Sequence, residues 1–226
     1  MAELNEASRG VSEPLRRGAL LSLEGGEGAG KTTVLGALRA RLEARGHAVV
    51  GTREPGGTPA GEAIRSLLLD PAQSLVPRAE LLLMFASRAQ LVESVIEPAL
   101  ARGDMVLADR FTDASFAYQG GGRGLPTALV AELERVFVRR APDFTLLLDL
   151  DVRIGLARAR SRGAPADRIE AEREAFFERV RLAYRARAAA EPARVVVVDA
   201  AQPPEAVAAA ACAALDGFLD RWEARS

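Results

Sequence analysis

An apolar run, Ala19-Leu20-Leu21-Ser22-Leu23, leads into Glu24-Gly25-Gly26-Glu27-Gly28-Ala29-Gly30-Lys31-Thr32-Thr33 and then into a helix-like run from Val34 to Arg45. Gly25, four intervening residues, Gly30, Lys31 and Thr32 fit the phosphate-loop pattern GxxxxGK[ST], with the strand before and the helix after that the pattern requires. Glycines let such a loop curl so that its backbone N–H groups point at phosphate oxygens, and the positive end of the following helix adds to them. Lys31 is then placed to reach the outer phosphates of a nucleotide, and the Thr32 hydroxyl to hold Mg²⁺. The competing reading is a chance glycine-rich turn between a strand and a helix. The dinucleotide pattern GxGxxG cannot be laid on these glycines in any register.

The rest of the composition narrows the classes open to the chain. With 226 residues and 49% of them hydrophobic, one α/β core is the default. Thirty Lys and Arg against 31 Asp and Glu leave no global field for a nucleic-acid polymer or an anionic membrane, so phosphate chemistry must come from local arginines. The single cysteine, Cys212, excludes an internal disulfide and a cysteine metal cluster, which suits a reducing, cytoplasmic setting. It lies in the alanine-rich run 206–214 and reads as a small buried hydrophobe. The only histidine, His47, reads as a turn residue, so serine–histidine catalysis and a histidine zinc site are not expected. No apolar run approaches the roughly 20 residues of a membrane span. Residues 1–17 lack a signal-peptide apolar core and read as a flexible tail.

Apolar runs at 19–24, 48–52, 105–108, 144–149 and 195–199 read as strands. Between them, helical periodicity predicts helices over 33–46, 61–69, 78–100, 126–140, 152–160, 170–190 and 204–222, with a bend near Pro98. The alternation predicts a three-layer α/β sandwich around a five-stranded parallel sheet. Two stretches, 53–58 and 113–124, read as polar, glycine-bearing loops; the first lies just past a strand's carboxyl end, where open sheets bind ligands.

A phosphate loop alone leaves the reaction open. Asp109-Arg110 ends the third strand, where a carboxylate can orient water on Mg²⁺ and a guanidinium can fork onto phosphate oxygens. Arg158, Arg160, Arg162 and Arg168 crowd a stretch broken by Gly163 and Pro165, as in a lid that brings positive charge to a phosphoryl group in transfer. The two polar loops, with Arg65 and Arg88 between them, imply a second pocket. A nucleotide hydrolase has no obvious need of one, whereas a kinase with a small acceptor does. The guanine-reading NKxD motif is impossible, since Asn5 is the only asparagine.

Glu27 to Thr33, Thr52-Arg53-Glu54-Pro55-Gly56-Gly57-Thr58, Ser87-Arg88-Ala89-Gln90, Asp109-Arg110 with Ala117-Tyr118-Gln119-Gly120, and Asp167-Arg168-Ile169-Glu170 together resemble the bacterial thymidylate kinase family, in order and from Ala19 onward. The resemblance implies a phosphate-loop nucleoside monophosphate kinase fold with a lid at about 158–170, one kinase domain over 18–226, a homodimer, and ATP-dependent conversion of dTMP to dTDP. It implies that Gly25, Gly26, Glu27, Gly28, Ala29, Gly30, Lys31, Thr32 and Thr33 cradle ATP, and that Thr32 and Asp109 serve Mg²⁺. On the acceptor side it implies Arg110 between the two phosphates, Glu27 near the 3′-hydroxyl, and Glu54 with Arg65 along the sugar and phosphate. Arg88 would bind the thymine edge with Ser115 and Gln119, and Tyr118 would crowd the 2′ position. With Ala29 where other members carry an arginine, the catalytic arginine would come from the lid: Arg158, Arg160, Arg162 or Arg168. The family's base-stacking aromatic aligns with Met84, next to Phe85; either Met84 packs on thymine through its thioether or a local shift brings Phe85 there. A kinase for another small acceptor, such as a different nucleoside monophosphate, and a nucleotide-binding switch without a second substrate stay open as alternatives.

Overall fold

The computed structural model describes residues 17–161 and 167–224. Chain order is β1 (Leu20–Gly25), α1 (Lys31–Ala44), β2 (Val49–Arg53), α2 (Pro59–Leu69), α3 (Pro77–Leu91), α4 (Glu97–Ala101), β3 (Met105–Asp109), α5 (Thr112–Ser115), α6 (Thr127–Leu133), β4 (Phe144–Asp149), α7 (Val152–Arg160), α8 (Glu174–Ala190), β5 (Val195–Asp199) and α9 (Pro204–Glu223). The strands form one sheet in the order β2-β3-β1-β4-β5, every pair parallel, as the alternation predicts.

The two-residue period of a strand divides the core. Leu21, Leu23, Met105, Leu107, Leu146 and Leu148 face Val34, Leu38 and Leu42 of α1 and Leu215 and Leu219 of α9. Their neighbours Leu20, Val106 and Ala108 face the other way, onto Leu81 and Phe85 of α3 and onto Ile96 and Phe111. Leu147 and Val195 meet Phe177, Val180 and Tyr184 of α8. Register aligns the strand ends: Leu23 and Arg53 both lie beside Asp109. The loops after β1, β2 and β3 therefore rise from one edge.

Local chemistry sets the element boundaries. Pro59 opens α2 while the Thr58 hydroxyl accepts from the Gly61 amide at 2.9 Å. The single helix expected over 78–100 is instead α3, a wide π turn at Val92–Ile96, and α4. Pro98 has no N–H to give and its ring would press on the carbonyl four residues back, and the wide turn relieves both. A second wide turn, Glu134–Val138, follows α6, ending at Arg139 in the left-handed region with φ 55°.

The loop expected over 113–124 is helical: α5 runs into a π-type segment, Phe116–Gly122, that packs against α8. Its glycines serve close approach. A Cβ on Gly122 would lie 2.4 Å from the Phe176 ring, and one on Gly121 would lie 2.6 Å from the Ala183 Cβ. Of the single-residue readings, His47 does fall between α1 and β2, against Glu223 at 3.1 Å, and Cys212 is half-buried on α9. Among the described residues no helix is long and apolar enough to cross a membrane. The expected tail lies, apart from Arg17, outside the described residues.

Candidate active site

Gly30, left-handed at φ 88°, turns the phosphate loop into α1. The Lys31 ammonium arches back over the loop and donates to the carbonyls of Gly25 (3.2 Å) and Gly26 (3.1 Å). Burial, with the nearby Arg110 guanidinium, pushes Lys31 down to about 8.

Arg110, the residue after β3, also adopts a left-handed backbone with φ 70°. For a side chain branched beyond glycine that conformation costs about 1–2 kcal/mol, and persists only where neighbours over-determine it. Here they do. Its Nη1 donates to Gly25 O at 3.0 Å and to the Tyr184 hydroxyl at 3.1 Å, its Nη2 donates to Glu27 Oε1 at 2.9 Å, and the guanidinium lies 4.8 Å from the Tyr118 ring centre. The Tyr118 hydroxyl donates to the same Glu27 oxygen at 3.0 Å. Behind them, Glu24 Oε2 accepts from the Tyr184 hydroxyl at 2.8 Å and Oε1 from the Phe111 amide at 2.7 Å. Burial, then the neighbouring Asp113, pushes Glu24 up to about 8.

A cavity of about 580 Å³ opens over this arrangement. Its phosphate-loop end is lined by Gly28, Ala29, Gly30, Lys31, Thr32 and Thr33. Glu27, Asp109 and Arg110 also line it, as do Glu54, Arg65, Met84, Arg88, Ser115, Tyr118 and Gln119. The two compartments expected from sequence are thus one continuous space.

At the other end of the cavity Arg88 and Glu54 form a buried pair, only 2% and 3% exposed, with Arg88 Nε donating to Glu54 Oε2 at 2.7 Å. Arg88 also donates to Ser115 Oγ at 3.1 Å and to Phe111 O at 3.2 Å. Glu54 is thus Arg88's partner; Arg65, expected beside it, donates to Pro55 O at 3.0 Å. Met84 lines the cavity. Phe85 does not: its ring lies in the core, 4.7 Å from the Arg88 guanidinium carbon.

Of the four arginines assigned to the lid, Arg158 lines the cavity and donates to Ala200 O at 3.0 Å. Arg160 is exposed and not part of the lining, and Arg162 lies outside the described residues. Arg168 turns away, donating to Leu68 O and to Glu80 Oε2, each at 2.7 Å. Asp167, Ile169 and Glu170 join the lining in its place.

The residues fit a lightly held Mg²⁺. Asp109 Oδ1 is buried without a hydrogen-bond partner on the cavity that Thr32 also lines. Among the described residues no three His, Cys, Asp or Glu cluster as metal ligands. That suits an ion which keeps most of its shell as water and substrate phosphate oxygens.

Sequence reading missed Tyr184, Glu24 and Glu80. Tyr184 sits in an otherwise ordinary helical pattern, and nothing in its neighbours marks it. Glu24 carried a faint signal, a carboxylate at the end of a fully buried strand.

A phosphate loop at the carboxyl edge of a parallel sheet, joined to a second walled compartment by an arginine, defines a phosphate-loop kinase of the nucleoside monophosphate type. The family model described as thymidylate kinase matches residues 23–211. The chain is 56% identical over 204 residues to a thymidylate kinase of Pseudomonas putida strain W619, covering 89% of this chain and 98% of that one. It is 54% identical over 208 residues to one of Chromohalobacter salexigens, covering 91% and 98%. The crystal structure of thymidylate kinase from Ehrlichia chaffeensis superposes with a TM-score of 0.73 at 31% identity, over 88% of this chain and 99% of that chain. The chain belongs to the thymidylate kinase family.

Proposed function

We infer that the chain transfers the γ-phosphoryl group of ATP to dTMP, giving dTDP and ADP. A dTMP phosphate oxygen forms the new bond to the γ-phosphorus as the bond to the β–γ bridging oxygen breaks, and ADP leaves with that electron pair. The attacking oxygen is already anionic, so no general base is needed. The residues contribute position and charge: Lys31 on the donor phosphates, Arg110 between donor and acceptor, and Arg158 from the lid-side helix. Thr32 and Asp109 would hold Mg²⁺, which supplies charge neutralisation on the donor phosphates. Glu27, fixed by Arg110 and Tyr118, faces the acceptor sugar, and Arg88, Ser115 and Gln119 face the base, with Met84 packing on it.

The observation that carries this reading is Arg110, one guanidinium bonded to the phosphate loop at Gly25 and Glu27 and stacked on Tyr118 of the acceptor compartment. A coupled assay of ADP release from ATP tests it. ADP formation that requires dTMP and stops on chelation of Mg²⁺ supports the reading; hydrolysis indifferent to dTMP refutes it.

Residues 18–226 act as one kinase domain, with a lid at about 158–170. The enzyme works as a homodimer in the cytoplasm. Leu82 on α3 is 58% exposed and Phe137, on the adjoining wide turn, 55%, apolar surface that a second copy would cover. Sedimentation equilibrium tests this, and a monomer at micromolar concentration would refute it.

A further inference from the structure

Glu80 lies on the first turn of α3, away from every group discussed so far as touching phosphate, yet its side chain is 0% exposed. Burying a carboxylate this completely is costly unless all its lone pairs are used. They are. Oε1 accepts from Gln119 Nε2 at 2.9 Å, both oxygens accept from Arg123 at 3.0–3.2 Å, and Oε2 accepts from Arg168 at 2.7 Å. Burial alone would push this carboxyl up, but hydrogen bonds from Arg123 and Gln119 hold it below its ordinary value. It is therefore an anion, and an anion only accepts.

That fixes the polarity of Gln119. An amide offers either a donor or an acceptor to what it faces, and the two orientations have nearly the same shape. With Glu80 on one side, the nitrogen must turn toward Glu80, and the oxygen is left for the cavity that Gln119 lines. Across the same compartment Arg88 has only donors to offer. The wall thus presents one donor and one acceptor. A pyrimidine with a 4-oxo group and an N3–H matches that pair; cytosine, with a 4-amino group and a bare N3, opposes both.

We propose that Glu80 is a positioning residue for base selection: by holding the Gln119 amide in one orientation it makes position 119 an obligate acceptor and excludes cytosine. This rests on the dTMP kinase reading. Arg123 and Arg168 keep the carboxylate charged, and so an arginine of the lid stretch contributes to what the base pocket admits.

The test is the ratio of kcat/KM for dTMP to that for dCMP. The wild-type protein comes first, since the absence of dTMP-dependent ADP release would refute the underlying reading and not this inference. In Glu80→Gln the amide at 119 is free to flip, and the ratio should fall at least about 10-fold, because a pocket that loses an obligate hydrogen-bond polarity loses its main means of rejecting a polar isostere. KM for ATP should stay within about 2-fold. A merely structural role would lower both acceptors together and leave the ratio unchanged. The exchange Glu80→Gln/Gln119→Glu keeps the charge beside Arg123 and Arg168 and restores an obligate acceptor at 119, so it should fold and regain preference for dTMP even if the single variant does not fold. A folded Glu80→Gln with the wild-type ratio, or a folded exchange variant without preference for dTMP, overturns the proposal.

Discussion

Arg110 donates to the Tyr184 hydroxyl at 3.1 Å, and that hydroxyl in turn donates to Glu24 at 2.8 Å. Tyr184 thereby ties the arginine that joins the two compartments to a carboxyl buried at the end of β1. Tyr184→Phe keeps the ring, edge-on to Tyr118 at 6.2 Å, and removes only the two hydrogen bonds. An unmatched buried polar group costs about 1–3 kcal/mol. The variant should melt at least about 2 °C lower. If Arg110 loses its pose, kcat should also fall roughly 10-fold, equivalent to about 1.4 kcal/mol. Steady-state kinetics beside a thermal melt read both, and an unchanged kcat would mean that the other contacts of Arg110 suffice.

Lys31 predicts a pH dependence. In the free protein its ammonium is pushed down to about 8, whereas bound phosphates favour the charged form. Only the protonated lysine attracts ATP, so kcat/KM for ATP should decline above about pH 8 with the loss of one proton. The plateau of kcat, which reports the bound complex, should extend to higher pH. A kcat/KM that stays level to pH 9.5 would argue against this assignment.

The arginines near the lid should separate by variant. Arg158→Ala should lower kcat by at least about 100-fold, the low end for a lost preorganised donor. Arg168→Ala removes a partner of Glu80 and of the α2 carboxyl end, so its main effect should be on stability and on KM for dTMP. Turnover within a few-fold of wild type for alanine at each of Arg158, Arg160, Arg162 and Arg168 would exclude the lid as the source of catalytic charge.

The acceptor compartment predicts an order of substrates. A methyl group in an apolar pocket is worth about 1–3 kcal/mol, so dUMP should be a poor but measurable acceptor. The ribose form of TMP should be worse, because Tyr118 is locked by Glu27 and Arg110 and cannot step aside. Equal efficiency for all three would contradict the pocket assignment.

Much of this was legible in the chain because the signals were local. The phosphate loop, the five strands and the loop after β2 are short, continuous patterns, and each lies where the pattern predicts it. What was not legible depends on contacts distant in sequence. Gly121 and Gly122 resemble a loop until α8 is packed against them, and only then do the missing side chains explain a helix. Arg168 resembles a catalytic arginine until Glu80, 88 residues away, claims it. That Met84 lines the cavity and Phe85 does not needed the position of the Arg88 guanidinium, against which the Phe85 ring packs.

Gly28 and Gly155 meet with no side chain between them: a Cβ on Gly28 would stand 2.1 Å from the Gly155 carbonyl oxygen, and one on Gly155 would stand 2.4 Å from that of Glu27. The phosphate loop and the start of α7 are therefore welded main chain to main chain. A hinge cannot operate at that seam, so the phosphate loop and α7 must move as one body in any opening stroke. Arg158, on the same helix as Gly155, then keeps its place against the donor grip.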